Sequence, residues 1–321
     1  MESNDKIKAY LAYAFVCLFW GTTYLAIRIG VAVMPPGLFA GIRFFLAGII
    51  FLPLLLMNGY KLPKKEELLP IAIVGIALLS IANGAVVWAE QFVSSSLAAL
   101  IVTTLPIFMV TFESLLSNGE KFTTQKITGI LIGFVGVFIL LWPDLHGTLD
   151  TTFIKGIAAI TIAPISWAAG SIYSKYRKIN TPPLVAAASQ MIIAGLILII
   201  FGSIKGEWAA ITLNFNGWAA LAYLAVFGSI IGYGSYIYAL DKLPAAMVST
   251  YAYINPIVAV FLGWLILNER LDEFTIVATV IILFGVTMVK KTQSKKIYPQ
   301  TSDDKIEFNS DPGLPLSCEK Q

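Results

Sequence analysis

Charged residues are scarce in this sequence. They make up 13% of the 321 residues, whereas a soluble domain usually carries about a quarter. Hydrophobic residues make up 57%, and the mean hydropathy is +0.79. Because so few charges cannot cover a water-facing surface, the composition excludes an ordinary soluble domain. The apolar runs are continuous rather than alternating as in a membrane β-barrel, so the sequence predicts an all-α integral membrane protein.

Histidine and cysteine are also rare. The only histidine is His146, and the two cysteines are Cys17 and Cys318. The sequence has no HExxH pattern, no histidine cluster and no nucleophile elbow, so it predicts no enzyme, no bound metal and no cofactor. No GxxxxGK[ST] pattern is present, which argues against ATP as the direct energy source. Two cysteines are too few for a disulfide framework, and a net charge of +3 gives no reason to expect a nucleic-acid partner.

Long apolar runs are abundant. A membrane-spanning helix needs roughly 20 mostly apolar residues. Ten runs of about this length are separated by short polar or Pro/Gly-containing linkers: 8–30, 37–57, 69–90, 96–117, 125–143, 154–175, 183–203, 217–240, 245–267 and 273–290. They predict ten transmembrane helices in a compact bundle.

Lysine and arginine in the loops predict the orientation of this bundle. Loops on the side of the N-terminus hold most of them, whereas those on the opposite side hold only Arg28, Lys155, Lys205 and Arg270. Positive loops stay on the cytoplasmic side. We therefore expect a multi-pass protein of the cell (inner or plasma) membrane with both termini in the cytoplasm.

The chain repeats itself at an offset of about 150 residues. Pro106 matches Pro256 at an offset of 150, and Trp20 matches Trp167 at an offset of 147. The pattern predicts two copies of a five-helix unit. Because five is odd, the second copy enters the membrane from the opposite side, which gives two inverted repeats around a central cavity. Such repeats are typical of alternating-access transporters.

The domain limits follow from this repeat. The first five-helix unit covers residues 8–143 and the second covers residues 154–290. Residues 291–321 are polar and are predicted to form a disordered cytoplasmic tail.

The two matched prolines lie near the middle of the fourth span of each repeat. A proline inside a helix removes one backbone hydrogen bond and frees a carbonyl group. In a membrane that carbonyl must find a partner or face a wet cavity. We therefore expect Pro106 and Pro256 to kink their helices, either as ordinary kinks that threonine hydroxyls satisfy or as part of a cavity wall.

Several short stretches resemble the EamA-type branch of the drug/metabolite transporter superfamily. They are FWGTTYLAIR at 19–28, WAEQ at 88–91, the two proline helices, NGEK at 118–121 and NER at 268–270. The resemblance covers roughly residues 10–290. It implies ten helices, a cavity built by the first, third and fourth helices of each half, gating by helices 2 and 7, and export of small metabolites such as amino acids.

Polar and aromatic residues in the spans near the predicted cavity are candidate substrate-binding residues. Hydroxyls and amides in lipid must find a partner, which is either a neighbouring helix or a ligand. Paired tryptophans at mid-depth suggest a wall that stacks on a substrate, although core packing would also explain them. The candidates are Trp20, Thr23, Tyr24, Asn83, Thr104, Trp167, Ser171, Tyr233, Tyr236, Tyr251, Tyr253 and Asn255.

Three charges inside the spans are candidates for gating or coupling. Arg43 and Glu90 are expected near the outer side, where they could pair in a gate, although Arg28 competes for Glu90 and Arg43 could instead extend towards the interface. Glu113 is expected near the inner side, where it could exchange a proton for substrate or extend towards Lys121. Glu90 and Glu113 have no acidic counterpart in the other half, where the matching residues are Leu240 and Gly263.

These observations predict a secondary transporter that moves a small, amino-acid-like metabolite by alternating access, with efflux as the expected direction. The expected partners are that small molecule and the lipid bilayer. Proton coupling and oligomeric state are left open. The alternative on the same repeat is a lipid-linked substrate flippase or a channel, which would need a basic pocket near one leaflet.

Overall fold

The structure is a computed structural model that describes residues 3–116, 124–145, 151–177, 179–212, 214–269 and 271–297. The described residues are mostly helical, and none of them forms a strand. The first six helices are α1 (Ser3–Val31), α2 (Pro36–Met57), α3 (Lys65–Ala89), α4 (Ser95–Val102), α5 (Leu105–Ser114) and α6 (Thr124–Leu145). The next six are α7 (Thr151–Tyr176), α8 (Pro183–Ile204), α9 (Phe215–Lys242), α10 (Ala245–Val248), α11 (Tyr251–Leu267) and α12 (Glu273–Ile297).

The helices have the length and composition of a multi-pass membrane protein. Seven helical stretches of the described chain are long and apolar enough to cross a membrane: Asp5–Val31, Pro36–Met57, Lys65–Ala89, Ser95–Ser114, Thr151–Tyr176, Pro183–Ile204 and Phe215–Lys242. Three shorter apolar helices are Ile127–Gly136, Ile254–Leu267 and Glu273–Gly285. Each of the ten apolar runs of the sequence therefore coincides with helical structure. Helix α12 continues to Ile297, past residue 290 where the sequence predicted the tail to begin, and residues 298–321 lie outside the described part.

Helices α3 and α9 each contain a π-helical segment. The segments are Ile76–Asn83 in α3 and Leu224–Tyr233 in α9. A π-helix closes its hydrogen bonds over five residues instead of four, and such segments occur frequently at functional sites. The two segments fall in the third span of each predicted repeat. The sequence analysis did not predict them.

The prolines of the fourth spans differ in their local structure. Helix α4 ends at Val102, and α5 starts at Leu105 with Pro106 in its first turn, where a missing N–H group costs nothing. Pro106 therefore lies in the first turn of a new helix, whereas the sequence predicted that it would kink a continuous helix. Pro256 lies inside α11, where it cannot donate to the carbonyl group of Ala252.

Two helix pairs approach closely through glycine. Helices α2 and α8 meet at Gly195, where an added Cβ would lie 2.4 Å from the backbone nitrogen of Phe45. Helices α6 and α12 meet at Gly285, where an added Cβ would lie 2.6 Å from the backbone nitrogen of Gly133. Small residues let helix backbones touch and gain dispersion contacts within lipid. Each pair joins helices that correspond under the predicted repeat.

Carboxylates fix helix ends at both ends of the bundle. The carboxylate of Glu269 accepts hydrogen bonds from the backbone N–H groups and hydroxyls of Ser95 and Ser96, at 2.9 and 2.7 Å for Ser95. At the opposite end, Oε2 of Glu67 accepts a hydrogen bond of 2.6 Å from the Thr181 hydroxyl. The Glu269 contacts satisfy N–H groups that the first turn of α4 leaves without an internal partner.

Candidate functional site

A central cavity lies where α1, α2, α3, α4, α7, α9 and α11 meet. Its volume is about 60 Å³. Residues of all seven helices form its wall: Trp20, Thr23, Tyr24, Ile27, Arg43, Phe44, Leu79, Ala82, Asn83, Val86, Val102, Ala163, Pro164, Trp167, Gly228, Tyr233, Tyr251 and Asn255.

The cavity brings together most of the residues that the sequence singled out. Those that line it are Trp20, Thr23, Tyr24, Asn83, Trp167, Tyr233, Tyr251 and Asn255, together with Arg43. Thr104, Ser171 and Tyr236 do not line it. Tyr253 belongs to α11, but its side chain lies outside the described part of the structure.

Aromatic rings form one wall of the cavity. The ring centroids of Trp20 and Trp167 are 5.3 Å apart at 87°, and those of Trp20 and Tyr251 are 4.9 Å apart at 83°. Edge-to-face pairs of this kind are favourable because the positive edge of one ring meets the negative face of the other. The indole nitrogen of Trp20 donates a 3.0 Å hydrogen bond to the carbonyl oxygen of Gly228. This bond fixes the indole against the π-helical segment of α9.

A second layer of side chains supports this wall from behind. The indole nitrogen of Trp167 donates to the hydroxyl of Tyr236 at 3.0 Å, and the hydroxyls of Tyr236 and Ser171 are 2.7 Å apart. Ser171 also donates to the backbone carbonyl of Trp167 at 2.7 Å. Ser171 and Tyr236 therefore position Trp167, and they do not reach the cavity themselves.

Three polar groups on the cavity wall have unused hydrogen-bonding capacity. They are Nη1 of Arg43, Oδ1 of Asn83 and Oδ1 of Asn255, each buried and without a hydrogen-bond partner in the described structure. Arg43 is 2% exposed, so it does not extend towards the membrane interface. Its Nε donates to the hydroxyl of Ser229 at 2.9 Å, and its guanidinium lies 4.7 Å from the ring centre of Phe44.

Glu90 lies just after α3, one helical turn beyond the cavity residue Val86. It is 0% exposed, and both of its carboxylate oxygens lack a hydrogen-bond partner in the described structure. The guanidinium of Arg28 donates to the backbone carbonyl of Glu90 and not to its carboxylate. Among the described residues, neither Arg43 nor Arg28 forms an ion pair with this carboxylate.

Glu113 and Thr104 lie away from the cavity. The half-buried carboxylate of Glu113 in α5 accepts a 2.9 Å hydrogen bond from the hydroxyl of Tyr176 in α7. The hydroxyl of Thr104 donates to the carbonyl oxygen of Ile101 at 2.7 Å, which satisfies the backbone at the break between α4 and α5.

The sequence analysis missed the apolar part of the wall. The additional lining residues are Ile27, Phe44, Leu79, Ala82, Val86, Val102, Ala163, Pro164 and Gly228. Spacing could have identified some of them, because Leu79, Ala82 and Val86 lie three or four residues apart on the helix face of Asn83. Gly228 carries no such signal.

A second cavity of about 300 Å³ lies nearer the end of the bundle that contains Lys175 and Asn180. Polar residues account for much of its wall, including Lys175, Arg177, Gln190 and Asp241. The hydroxyl of Tyr233, on the wall of the central cavity, donates a 2.7 Å hydrogen bond to Oε1 of Gln190. One hydrogen-bonded pair thus lies between the two cavities.

Comparison with known proteins identifies a transporter family and similar transporters. The model of the EamA-like transporter family matches residues 7–142 and 154–290. The chain is 39% identical over 301 residues to an uncharacterized inner membrane transporter, YedA, of Escherichia coli, covering 93% of this chain and 95% of that protein. It is 26% identical to an uncharacterized transporter, YoaV, of Bacillus subtilis, covering 90% and 99%. A crystal structure with 20% identity and a TM-score of 0.67 covers 89% of this chain and 98% of its own, which shows the same fold.

Proposed function

Because this chain belongs to the EamA-like transporter family, we propose that it is a secondary transporter that carries a small, amino-acid-like metabolite through the central cavity. One observation supports this proposal most strongly. Aromatic rings, two amide side chains and one guanidinium converge on a single cavity at the centre of the helix bundle. An apolar pocket with a few well-placed polar groups is the usual form of a small-molecule site.

We further propose ten membrane-spanning helices arranged as two inverted five-helix repeats. The two separate matches of the family model, over 7–142 and 154–290, support this division. The π-helical segments in α3 and α9 and the two glycine-dependent helix pairs support it as well, because each relates corresponding elements of the two halves. With lysine and arginine concentrated on the side of the N-terminus, both termini face the cytoplasm. The family resemblance implies efflux as the direction of transport.

Alternating access assigns distinct roles to the candidate residues. Trp20, Trp167 and Tyr251 form the wall that receives the apolar part of the substrate, and Asn83 and Asn255 contact its polar part. Arg43 and Glu90 form the outer gate by pairing in the alternate conformation, when the cavity holds no solute. Thr23 and Tyr24 complete the wall between the substrate site and this gate.

Glu113 is the residue to which we assign proton coupling. Its carboxylate lies near the predicted cytoplasmic end and accepts a hydrogen bond from Tyr176 across the α5–α7 interface. Substitution Glu113→Gln removes the titrating group but keeps an acceptor for the Tyr176 hydroxyl. Loss of acceleration by an imposed pH gradient in this variant, with transport itself retained, would identify Glu113 as the coupling residue.

The lipid-flippase alternative is less well supported. Such a protein needs a basic pocket that opens towards the headgroups of one leaflet. The buried guanidinium of Arg43 is 2% exposed and lines the central cavity. This position suits a solute that enters the bundle from water.

Counterflow in proteoliposomes tests the proposal directly. Purified full-length protein is reconstituted, loaded with unlabelled amino acids one at a time, and exposed to the same labelled compound. We expect counterflow of at least one compound that falls at least tenfold in Trp20→Ala and in Asn255→Ala. The matched controls are Trp264→Ala, an exposed tryptophan of α11, and Asn58→Ala, an exposed residue after α2. Absence of movement for every amino acid with folded protein would refute the amino-acid assignment.

A further inference from the structure

Arg43 is the one charged side chain among the described residues of the central cavity wall. It comes from α2, while most of the wall comes from α1, α3, α7, α9 and α11. Its position is fixed on two sides, by the 2.9 Å hydrogen bond from Nε to Ser229 and by the ring of Phe44. The guanidinium is therefore held in one orientation before any ligand arrives.

The guanidinium has donors left over in that orientation. A guanidinium carries five N–H groups, and the hydrogen bond to Ser229 uses the single one on Nε. Nη1 is buried without a partner. A buried guanidinium nitrogen without an acceptor is costly, so a ligand that provides an acceptor with a negative charge would be bound strongly.

Glu90 does not fill this role in the present conformation. Its carboxylate is fully buried but makes no ion pair with Arg43. It also lies beyond the cavity wall and not on it. A ligand inside the cavity can therefore supply the acceptor that Nη1 of Arg43 lacks.

Two acceptors on the same wall are also unused. Oδ1 of Asn83 and Oδ1 of Asn255 are buried without hydrogen-bond partners. Both are amide oxygens, so they call for a hydrogen-bond donor such as an ammonium group. One cavity thus offers an unpaired cationic donor together with two unpaired neutral acceptors.

We propose that Arg43 binds the carboxylate of the transported solute, and that the carbonyl oxygens of Asn83 and Asn255 receive its ammonium group. The inference rests on the proposed function and specifies which end of the solute each residue recognises. A planar carboxylate matches the two-pronged geometry of a guanidinium. The rings of Trp20, Trp167 and Tyr251 are left for the apolar remainder of the solute.

Matched ligands test the assignment of Arg43. The probes are L-leucine, L-leucinamide and isoamylamine, and the corresponding L-phenylalanine, L-phenylalaninamide and phenethylamine. The readout is ligand-dependent thermal stabilisation of the purified full-length protein. For at least one series we expect the acid to bind at least tenfold more tightly than its amide or amine. This comparison uses the unaltered protein, so it does not depend on whether a variant folds.

Variants of Arg43 then test whether this residue causes the preference for the acid over the amide. We expect Arg43→Gln to reduce the ratio of acid to amide affinity to within about threefold of one, and Arg43→Lys to retain an intermediate ratio. The matched control is Arg28→Gln, which removes an equal charge from a residue that donates to the backbone carbonyl of Glu90 and does not line the cavity. We expect this control to keep the full preference.

The outcomes separate this inference from the proposed function. Equal binding of acid and amide by the unaltered protein would overturn the role of Arg43 and leave an amino-acid-like transporter standing. A preference that persists in Arg43→Gln would overturn it as well. If none of the probes binds to folded protein and none shows counterflow, both the substrate class and this inference fail.

Discussion

The hydroxyl of Tyr233 donates a 2.7 Å hydrogen bond to the amide oxygen of Gln190, and each residue lines a different cavity. Tyr233 ends the π-helical segment of α9, and Gln190 lies in α8. Both side chains are almost fully buried. The pair therefore forms part of the partition between the compact central cavity and the larger, more polar cavity near Lys175.

Tyr233→Phe should weaken this partition. It removes one buried hydrogen bond, which is worth roughly 0.5–1.5 kcal/mol. A shift of that size changes the population of the open partition by a few-fold up to about tenfold. In a protein with Cys17 and Cys318 replaced by serine and Val102 replaced by cysteine, we expect faster modification of residue 102 by a small, water-soluble thiol reagent added on the cytoplasmic side.

Gln190→Ala removes the acceptor of the same bond and should accelerate labelling to a similar extent. Tyr10→Phe serves as the control, because Tyr10 is an exposed residue of α1. Unchanged labelling in both Tyr233→Phe and Gln190→Ala would show that the pair is a static packing contact.

Glu90→Gln should reduce transport strongly and change thermal stability only slightly. The carboxylate makes no hydrogen bond in the described structure, so the substitution removes no bond of this conformation and should shift Tm only slightly. Transport should fall at least tenfold, because the amide cannot form an ion pair with Arg43 in the alternate conformation. Counterflow and thermal unfolding of the same preparation check the two halves of this prediction.

The control for Glu90→Gln is Glu66→Gln, which alters an exposed carboxylate in the first turn of α3. Normal transport by Glu90→Gln would exclude an ionic gate at this position. A large fall in Tm would instead mean that the carboxylate has a structural role in the present conformation.

Residue spacing predicted much of the cavity, and local geometry decided the rest. Trp20 and Trp167 correspond at an offset of 147 residues, and both line the cavity as the repeat predicts. The sequence placed Ser171 and Tyr236 there too, but they bond to each other and to Trp167 behind the wall. A residue on the helix face that points towards the cavity can still lie behind the residues that line it. Only the packing of the neighbouring helices determines which residues reach the cavity.

Pro106 and the π-helical segments show a second limit of the sequence. A proline pattern identifies a site where a helix is weakened, but it does not say whether the helix bends or ends. Here α4 ends before Pro106, while α11 continues through Pro256. No residue pattern in Ile76–Asn83 or Leu224–Tyr233 predicts the π-helical segments of α3 and α9.

Glu269→Gln should destabilise the protein. Its carboxylate accepts hydrogen bonds from the backbone N–H groups and hydroxyls of Ser95 and Ser96 at the start of α4. A neutral amide offers one acceptor atom in place of two and loses the favourable charge at the helix N-terminus, which together cost about 1–3 kcal/mol. Thermal unfolding should show a lower Tm than for Glu273→Gln, an exposed carboxylate in the first turn of α12. Equal Tm values for the two variants would show that this cap contributes nothing measurable.

Gly195→Ala should disrupt the contact between α2 and α8. The added Cβ would lie 2.4 Å from the backbone nitrogen of Phe45 and 2.8 Å from its Cα, and backbone atoms cannot move aside as a flexible side chain can. Forcing the helices apart costs about 1–3 kcal/mol, so Tm should fall clearly. Gly84→Ala is the matched control, because its added Cβ would lie 3.4 Å from the side chain of Leu198, an ordinary packing distance. Because Arg43 is also carried by α2, Gly195→Ala should impair counterflow beyond its effect on Tm, whereas a variant with lowered Tm and normal transport would show that the α2–α8 spacing does not set the position of the guanidinium.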